Sequence, residues 1–281
     1  MGARDVRKPI SGYAWGMQPR YADDLQVALG IADRVDVLTL ERFRAADLRV
    51  ETKPDMTPVS DADRAAERLI RDMLRQFRSR DGVTGEEEAP VEGLSGRRWI
   101  IDPIDGTKNY VRGVPVWATL IALEDNGTIV LGIVSAPALK QRWFAAKGLG
   151  AYAGRSAAAA RRIHVSQVGR VSDASLSYSS LDGWSDRNQL RAFLRLAQTC
   201  WRTRAFGDFW SYMLVAEGAV DIASEPELNL YDMAALVPIV TEAGGRFTSL
   251  EGEDGPWGHN AIATNGHLHN PALEILNSVR D

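Results

Sequence analysis

The string Trp99-Ile100-Ile101-Asp102-Pro103-Ile104-Asp105-Gly106-Thr107 decides how this chain is read. An apolar run of strand character leads straight into two acidic residues, Asp102 and Asp105. Pro103 fixes its own φ and Gly106 allows close backbone approach, so the two acids share one tight turn. Residues after Gly106 can begin a helix, which would aim the amides of Gly106 and Thr107 at an anion. Two carboxylates and such amides in one turn suit a hard cation together with a phosphate. An isolated Asp-x-x-Asp would equally serve as an Asx-type turn whose acids cap local amides. Here the strand before it, the Gly-Thr after it and acids elsewhere in the chain favour chemistry.

Those other acids lie upstream and far downstream. Glu86 follows Gly85 at the end of a short apolar segment, where a third carboxylate would complete the oxygen set a divalent cation prefers. Glu87 and Glu88 read instead as a solvated acidic loop. Asp61 and Asp63 bracket a helix start that Ser60 or Asp61 can cap; one acid is a cap and the other is free to hold a metal's water. Asp232, at the start of a later helix, is open to both readings, cap or ligand. Two carboxylates about 4 Å apart repel by roughly 4 kcal/mol at an effective dielectric of 20, so several packed round one turn require cations between them. Magnesium, which keeps waters and shares its coordination with phosphate oxygens, fits such a site better than calcium.

The remainder of the chain is ordinary for a globular protein: 281 residues, 45% hydrophobic, 25% charged, 8% aromatic, net charge -4. That balance offers nothing to nucleic acid, and no apolar run is long enough for a signal peptide or a membrane span. The single cysteine, Cys200, forms no internal disulfide and reads as a buried core residue, so a reducing cytoplasm is the expected compartment. Residues 1–20 read as a flexible arm in which Tyr13 and Trp15 are available to a partner subunit.

Helical spacing marks two early helices, through Leu25, Leu29, Ile31, Ala32, Val35 and Leu38, and through Leu69, Ile70, Met73, Leu74 and Phe77. Strands are expected at 98–101, 118–123, 129–134 and 141–146, with Asp125-Asn126-Gly127 as a hairpin turn. The alanine-rich stretch 154–162 reads as an exposed loop or hinge. Strands and helices then alternate: strand 174–178, helix 186–198, strand 201–204, helix 208–217, strand 220–223, helix 231–243 ending at Gly244-Gly245, strand 246–248 and a closing helix from Pro271. This order predicts an α/β fold with layers of helix and mixed sheet. His267-x-His269 reads as solvated, and Trp117 and Trp184 as candidates to line a substrate mouth.

Lys53, Val59-Ser60-Asp61-Ala62-Asp63, Gly85-Glu86-Glu87, the string from Asp102 to Thr107, Leu230-Tyr231-Asp232 and Thr241-Glu242-Ala243-Gly244-Gly245 resemble, in order, the motifs of the inositol monophosphatase superfamily. The resemblance spans roughly residues 21–280. It implies a five-layered α/β/α/β/α sandwich, a homodimer, and a phosphomonoesterase with two or three Mg²⁺ ions per subunit. One phosphatase domain, 21–281, is expected, its half 21–153 carrying most metal ligands and its half 163–281 the specificity residues and Asp232. Carried across residue by residue, the resemblance implies Glu86, Asp102, Asp105, Asp232 and the Ile104 carbonyl as metal ligands. Asp63 would pair with Thr107 or hold a further ion through water. A metal-activated water, oriented by Glu86 and the Thr107 hydroxyl, would attack the phosphate directly, with Asp105, Gly106, Thr107 and Asp232 also facing the substrate.

Gly106 to Trp117, Ser135-Ala136-Pro137-Ala138, Leu176 to Ser180 and Phe206-Gly207-Asp208-Phe209 resemble the histidinol-phosphate phosphatases of this superfamily, which implies histidine biosynthesis. Histidinol phosphate carries an amine and an imidazole, so its pocket should hold carboxylates beyond the metal ligands. Asp208 and Glu225 are the candidates; their plainer readings are a helix cap and a surface acid before Pro226. The alternatives are a phosphatase of inositol, another sugar or a nucleotide, and a catalytically idle metal-binding or assembly protein.

Overall fold

The computed structural model describes residues 20–54 and 56–278, so the arm predicted at 1–20, with Tyr13 and Trp15, lies outside the described residues except for Arg20. Helix α1 (Ala22–Arg42) buries Leu25, Ala28, Leu29, Ile31, Ala32 and Val35 along one stripe, as its spacing dictates. A short antiparallel hairpin, β1 (Val50–Thr52) and β2 (Pro58–Ser60), leads into helix α2 (Asp61–Phe77). Ser60 caps α2 in a reciprocal box with Asp63.

A seven-stranded sheet follows in sequential order: β3 (Gly82–Gly85), β4 (Arg97–Asp105), β5 (Ala118–Asp125), β6 (Thr128–Ala136), β7 (Gln141–Ala146), β8 (Gly150–Gly154) and β9 (Arg161–Arg162). β3 runs parallel to β4, and every later neighbour is antiparallel. The β5–β6 turn is the expected one, with Asn126 at φ 50° and Gly127 at φ 79°. The short helix α3 (Thr107–Val111) is the one expected after Gly106. The stretch 154–162 is less free than its composition suggests, because Arg161 and Arg162 pair with β8 as the edge strand.

The second sheet has the order β11-β10-β12-β14-β13, from β10 (Ser175–Ser177), β11 (Arg202–Arg204), β12 (Ile222–Glu225), β13 (Arg246–Thr248) and β14 (Ala261–Thr264). Its helices are α4 (Asp182–Asp186), α5 (Leu190–Thr199), α6 (Asp208–Ala216), α7 (Leu230–Met233), α8 (Leu236–Glu242) and α9 (His269–Asn277). Two helices expected as continuous are broken. The span 186–198 divides at a turn where Asn188 takes φ 55°, and the span 231–243 divides between Met233 and Leu236.

Three apolar cores separate five layers. One joins α1 and α2 to the first sheet; a second buries α6 and α8 between the sheets, with Met233 of α7; a third joins the second sheet to α4, α5 and α9. This is the expected α/β/α/β/α sandwich. The middle layer comes from the later sequence, yet α8 packs across β6, β7 and β8 of the first sheet. Trp117 and Trp184 line no mouth: both are fully buried, Trp117 against Phe43 and Tyr110, Trp184 stacked on Phe193.

Candidate active site

The site begins where β4 stops being regular. Its pairing with β5 shifts register between Asp102 and Asp105: the acids pair with Leu120 and Ala118, while Pro103 and Ile104 between them bulge out of the ladder. The Ile104 amide donates to Asp102 Oδ1 at 3.0 Å, and the Phe209 amide from α6 donates to Asp105 Oδ2 at 2.9 Å. Gly106 sits at φ 82°, where a Cβ would stand 3.0 Å from the Val116 carbonyl and 3.3 Å from Asp208 Oδ2. Only glycine accommodates both that dihedral and that approach. Thr107 Oγ1 then lies 3.0 Å from the Ile104 carbonyl and 3.3 Å from Asp63 Oδ1.

Asp232 enters from the middle layer. Its Oδ2 accepts the Asn229 amide at 2.7 Å in a capping box, and the same carboxylate faces the β4 turn. The cap is therefore real, and it leaves the acid near enough to the β4 turn to serve a cation as well. Asp102, Asp105 and Asp232 each offer an oxygen within 4.8 Å of the other two. Glu86 is hydrogen-bonded with Asp102, and Lys53 Nζ lies 2.6 Å from both Glu86 Oε1 and Glu87 Oε1.

Glu87 is not the solvated acid it was expected to be; its side chain is 6% exposed and bound to Lys53. The 86–88 loop is held from behind by Glu67, which the sequence reading missed. Glu67 accepts the Glu87 and Glu88 amides at 2.8 and 3.1 Å and pairs with Arg71 at 2.7 Å. The available signal was a charged pair four residues apart on the apolar side of α2, together with Gly85, whose Cβ would stand 2.2 Å from Glu67 Oε1. Asp61 bonds outward to Arg42 at 2.9 Å, while Asp63 is fully buried, accepts from the Ser60 amide and hydroxyl, and lies outside the three-aspartate group.

Burial dominates the electrostatics. It pushes the Asp102 and Asp105 carboxyls well above the usual range, reinforced at Asp102 by Glu86 and Asp105 and at Asp105 by Asp208 and Asp232. Burial likewise raises Asp232 to about 7, Asp63 to about 6, and Glu86. At Lys53, burial works against the charge, but hydrogen bonds to Glu86 and Glu87 prevail and raise its pKa. Lys53 therefore offsets one charge on the Glu86–Glu87 side and leaves Asp102, fully buried, and Asp105 and Asp232, half-buried, facing one another. Hard oxygen donors, crowded and reluctant to be anionic without a counter-charge, fit a small divalent cation.

A second acidic pair adjoins the first. Glu225, at the end of β12, is 6% exposed; Ser179 Oγ donates to its Oε2, and the buried Tyr212 hydroxyl also lies beside its carboxyl. Burial, ahead of the charges of Asp208 and Asp232, brings its carboxyl up to about 8. Asp208 opens α6 at φ 47° without capping it, and its Oδ2 accepts Asn109 Nδ2 at 3.2 Å. Neither residue is a plain cap or surface acid. The histidines stay away from this site: His267 faces Gln167, and His269, expected to be solvated, is buried between Thr248 and Thr264.

A layered sandwich whose two sheets and middle helices converge on aspartates shaped for cation and phosphate defines a class, the metal-dependent phosphatases. Within that class the chain belongs to the inositol monophosphatase family, which matches residues 21–280. A histidinol-phosphatase from Streptomyces coelicolor is 60% identical to it, over 92% of this chain and 98% of the other. One from Mycobacterium tuberculosis is 56% identical, over 91% and 98%. A solved inositol monophosphatase from Zymomonas mobilis superposes with TM-score 0.80 at 33% identity, over 92% and 99%.

Proposed function

We propose that this protein is a Mg²⁺-dependent histidinol-phosphatase, releasing L-histidinol and phosphate in histidine biosynthesis. The observation that carries the substrate is the second acidic pair. Asp208 and Glu225 lie against the proposed metal aspartates without being among them, and Glu225 is buried with neutral hydroxyls, those of Ser179 and Tyr212, beside its carboxyl. A buried carboxylate met only by neutral hydroxyls still lacks a counter-charge, and a cationic amine or imidazolium is the matching group. The named relatives at 60% and 56% identity support the same substrate.

Asp102, Asp105, Asp232 and Glu86, with the Ile104 carbonyl, would hold the ions; two or three per subunit suit this number of donors. Bound Mg²⁺ supplies Lewis-acid polarisation of the phosphate and makes water a stronger nucleophile. The chain's own residues set the geometry. Thr107 Oγ1, held between the Ile104 carbonyl and Asp63, orients the attacking water together with Glu86. Asp63, brought to about 6 by burial, accepts a hydrogen bond from that hydroxyl through Oδ1 and steadies it. Gly106 lets the β4 turn approach Asp208, so phosphate and leaving group are gripped by adjoining residues. We further propose a homodimer working in the cytoplasm, supported by the family resemblance and by the single buried thiol of Cys200. No helix among the described residues is long and apolar enough to cross a membrane.

The test is phosphate release from a panel of L-histidinol phosphate, myo-inositol 1-phosphate, fructose 1,6-bisphosphate and a nucleoside monophosphate. Each charge-assisted contact to the leaving group contributes roughly 1.5 to 3 kcal/mol, or about ten- to a hundredfold. Histidinol phosphate should therefore lead in kcat/KM by at least about tenfold. Equal specificity constants would refute the assignment.

A further inference from the structure

One hydroxyl joins the two acids of the second pair. Ser179, just beyond β10, donates through Oγ to Glu225 Oε2 and accepts the Asp208 amide at 3.0 Å. A serine hydroxyl has one proton, and with a backbone amide on its acceptor side that proton is committed to Glu225. Glu225 thereby turns its other oxygen, Oε1, away from Ser179 in a buried setting shared with the Tyr212 hydroxyl. The same contact fixes Asp208, whose φ of 47° is unfavourable for a residue with a side chain. The next amide, that of Phe209, donates to Asp105 Oδ2. Consecutive amides at the start of α6 are thus tied one to the specificity side and one to the metal side.

We propose that Ser179 is a positioning residue for leaving-group selection: it locks Asp208 and Glu225 into the one arrangement in which both carboxylates close on a cationic group. This rests on the reading of the substrate as a cationic ester. With Ser179 absent, Glu225 can rotate and Asp208 can relax from its left-handed backbone. A cationic leaving group then loses two oriented partners, whereas a neutral aryl ester loses no charged contact.

The experiment compares wild type, Ser179→Ala and Ser179→Thr at saturating Mg²⁺. It measures kcat and KM for L-histidinol phosphate and for 4-nitrophenyl phosphate, and the Kd of L-histidinol by calorimetry. In Ser179→Ala the KM for histidinol phosphate and the Kd for histidinol should rise by about tenfold or more, with kcat moving less than KM. The ratio of the two specificity constants should fall accordingly. Ser179→Thr, which keeps the hydroxyl, should recover most of both. Equal losses on both esters, an unchanged Kd, or failure of threonine to restore the ratio would overturn the proposal. A wild type without preference for histidinol phosphate would sink the substrate reading and this proposal with it. A preference that survives in Ser179→Ala would sink the role of Ser179 alone.

Discussion

At Asp102 burial is nearly complete, its Oδ1 accepts the Ile104 amide, and Glu86, Asp105 and Asp232 crowd the same carboxylate. In the proposed site the ions it would hold relieve that crowding. Asp102→Asn should lower turnover by about a hundredfold or more, since it replaces a shared anionic ligand. In the metal-free protein the same change removes repulsion, so the variant should melt no lower than wild type without Mg²⁺ and should respond less to added Mg²⁺. Wild-type rates would reduce Asp102 to a turn residue. Asp102, Asp105 and Gly106 were legible in sequence because strand, turn and helix start are contiguous. Ser179 was not, because its meaning comes from Glu225 and Asp208, 46 and 29 residues away. Glu67 escaped for the same reason: its carboxylate serves amides 20 and 21 positions on.

Single elements followed periodicity closely where one face is buried, as in α1 and α2, and less well where both faces are. The middle layer is apolar on both sides, so periodicity over 231–243 did not show the break before α8; Pro238, whose ring is incompatible with a continuous helix through Ala234, was the available signal. His269, at the start of α9, shows a second kind of illegibility. Its ring bridges Thr248 of β13 at 2.9 Å and Thr264 of β14 at 3.1 Å, fastening a helix to two strands. Burial, with Arg246 nearby and partly offset by Asp254, lowers its pKa from 6.5 to about 4. The folded state therefore resists a proton that the unfolded chain accepts. This contribution is fully present above pH 6.5 and is lost as pH falls towards about 4, amounting to about 3 kcal/mol at most. Denaturant titrations of wild type and His269→Gln should show the wild type's advantage shrinking over that interval. A difference independent of pH would mean that the ring titrates alike in the folded and unfolded chain, and would overturn the assigned shift.

Across the whole molecule, the first sheet supplies Asp102 and Asp105, while the middle layer supplies Asp232. Mg²⁺ at a hundred times its dissociation constant would stabilise the fold by about 2.7 kcal/mol, a rise of roughly 5 to 10 °C in melting temperature. Chelation should reverse the rise and abolish turnover. Asp232 and Glu225 have folded pKa values raised to about 7 and about 8, so the metal-free fold holds their protons longer than the unfolded chain does. Their effect is to make that fold most stable below the ordinary carboxylate range and progressively weaker as pH rises through 7 and 8. The Mg²⁺-induced shift should therefore be larger at pH 8 than at pH 6. A melting temperature indifferent to Mg²⁺ at both would count against the ion site.

The placement of Asp232 on a helix between the sheets makes the reaction centre a seam. Chain positions separated by more than a hundred residues meet there only once α8 has settled across β6, β7 and β8. Catalytic competence is consequently a property of assembly, present only where the layers have found one another. It also makes cation affinity a gauge of how well remote apolar surfaces fit. A substitution deep in the α8 contact, touching no ligand, would surface as an enzyme hungry for magnesium. Natural selection acting on phosphate release would thereby police the packing of the middle layer without ever acting on stability itself.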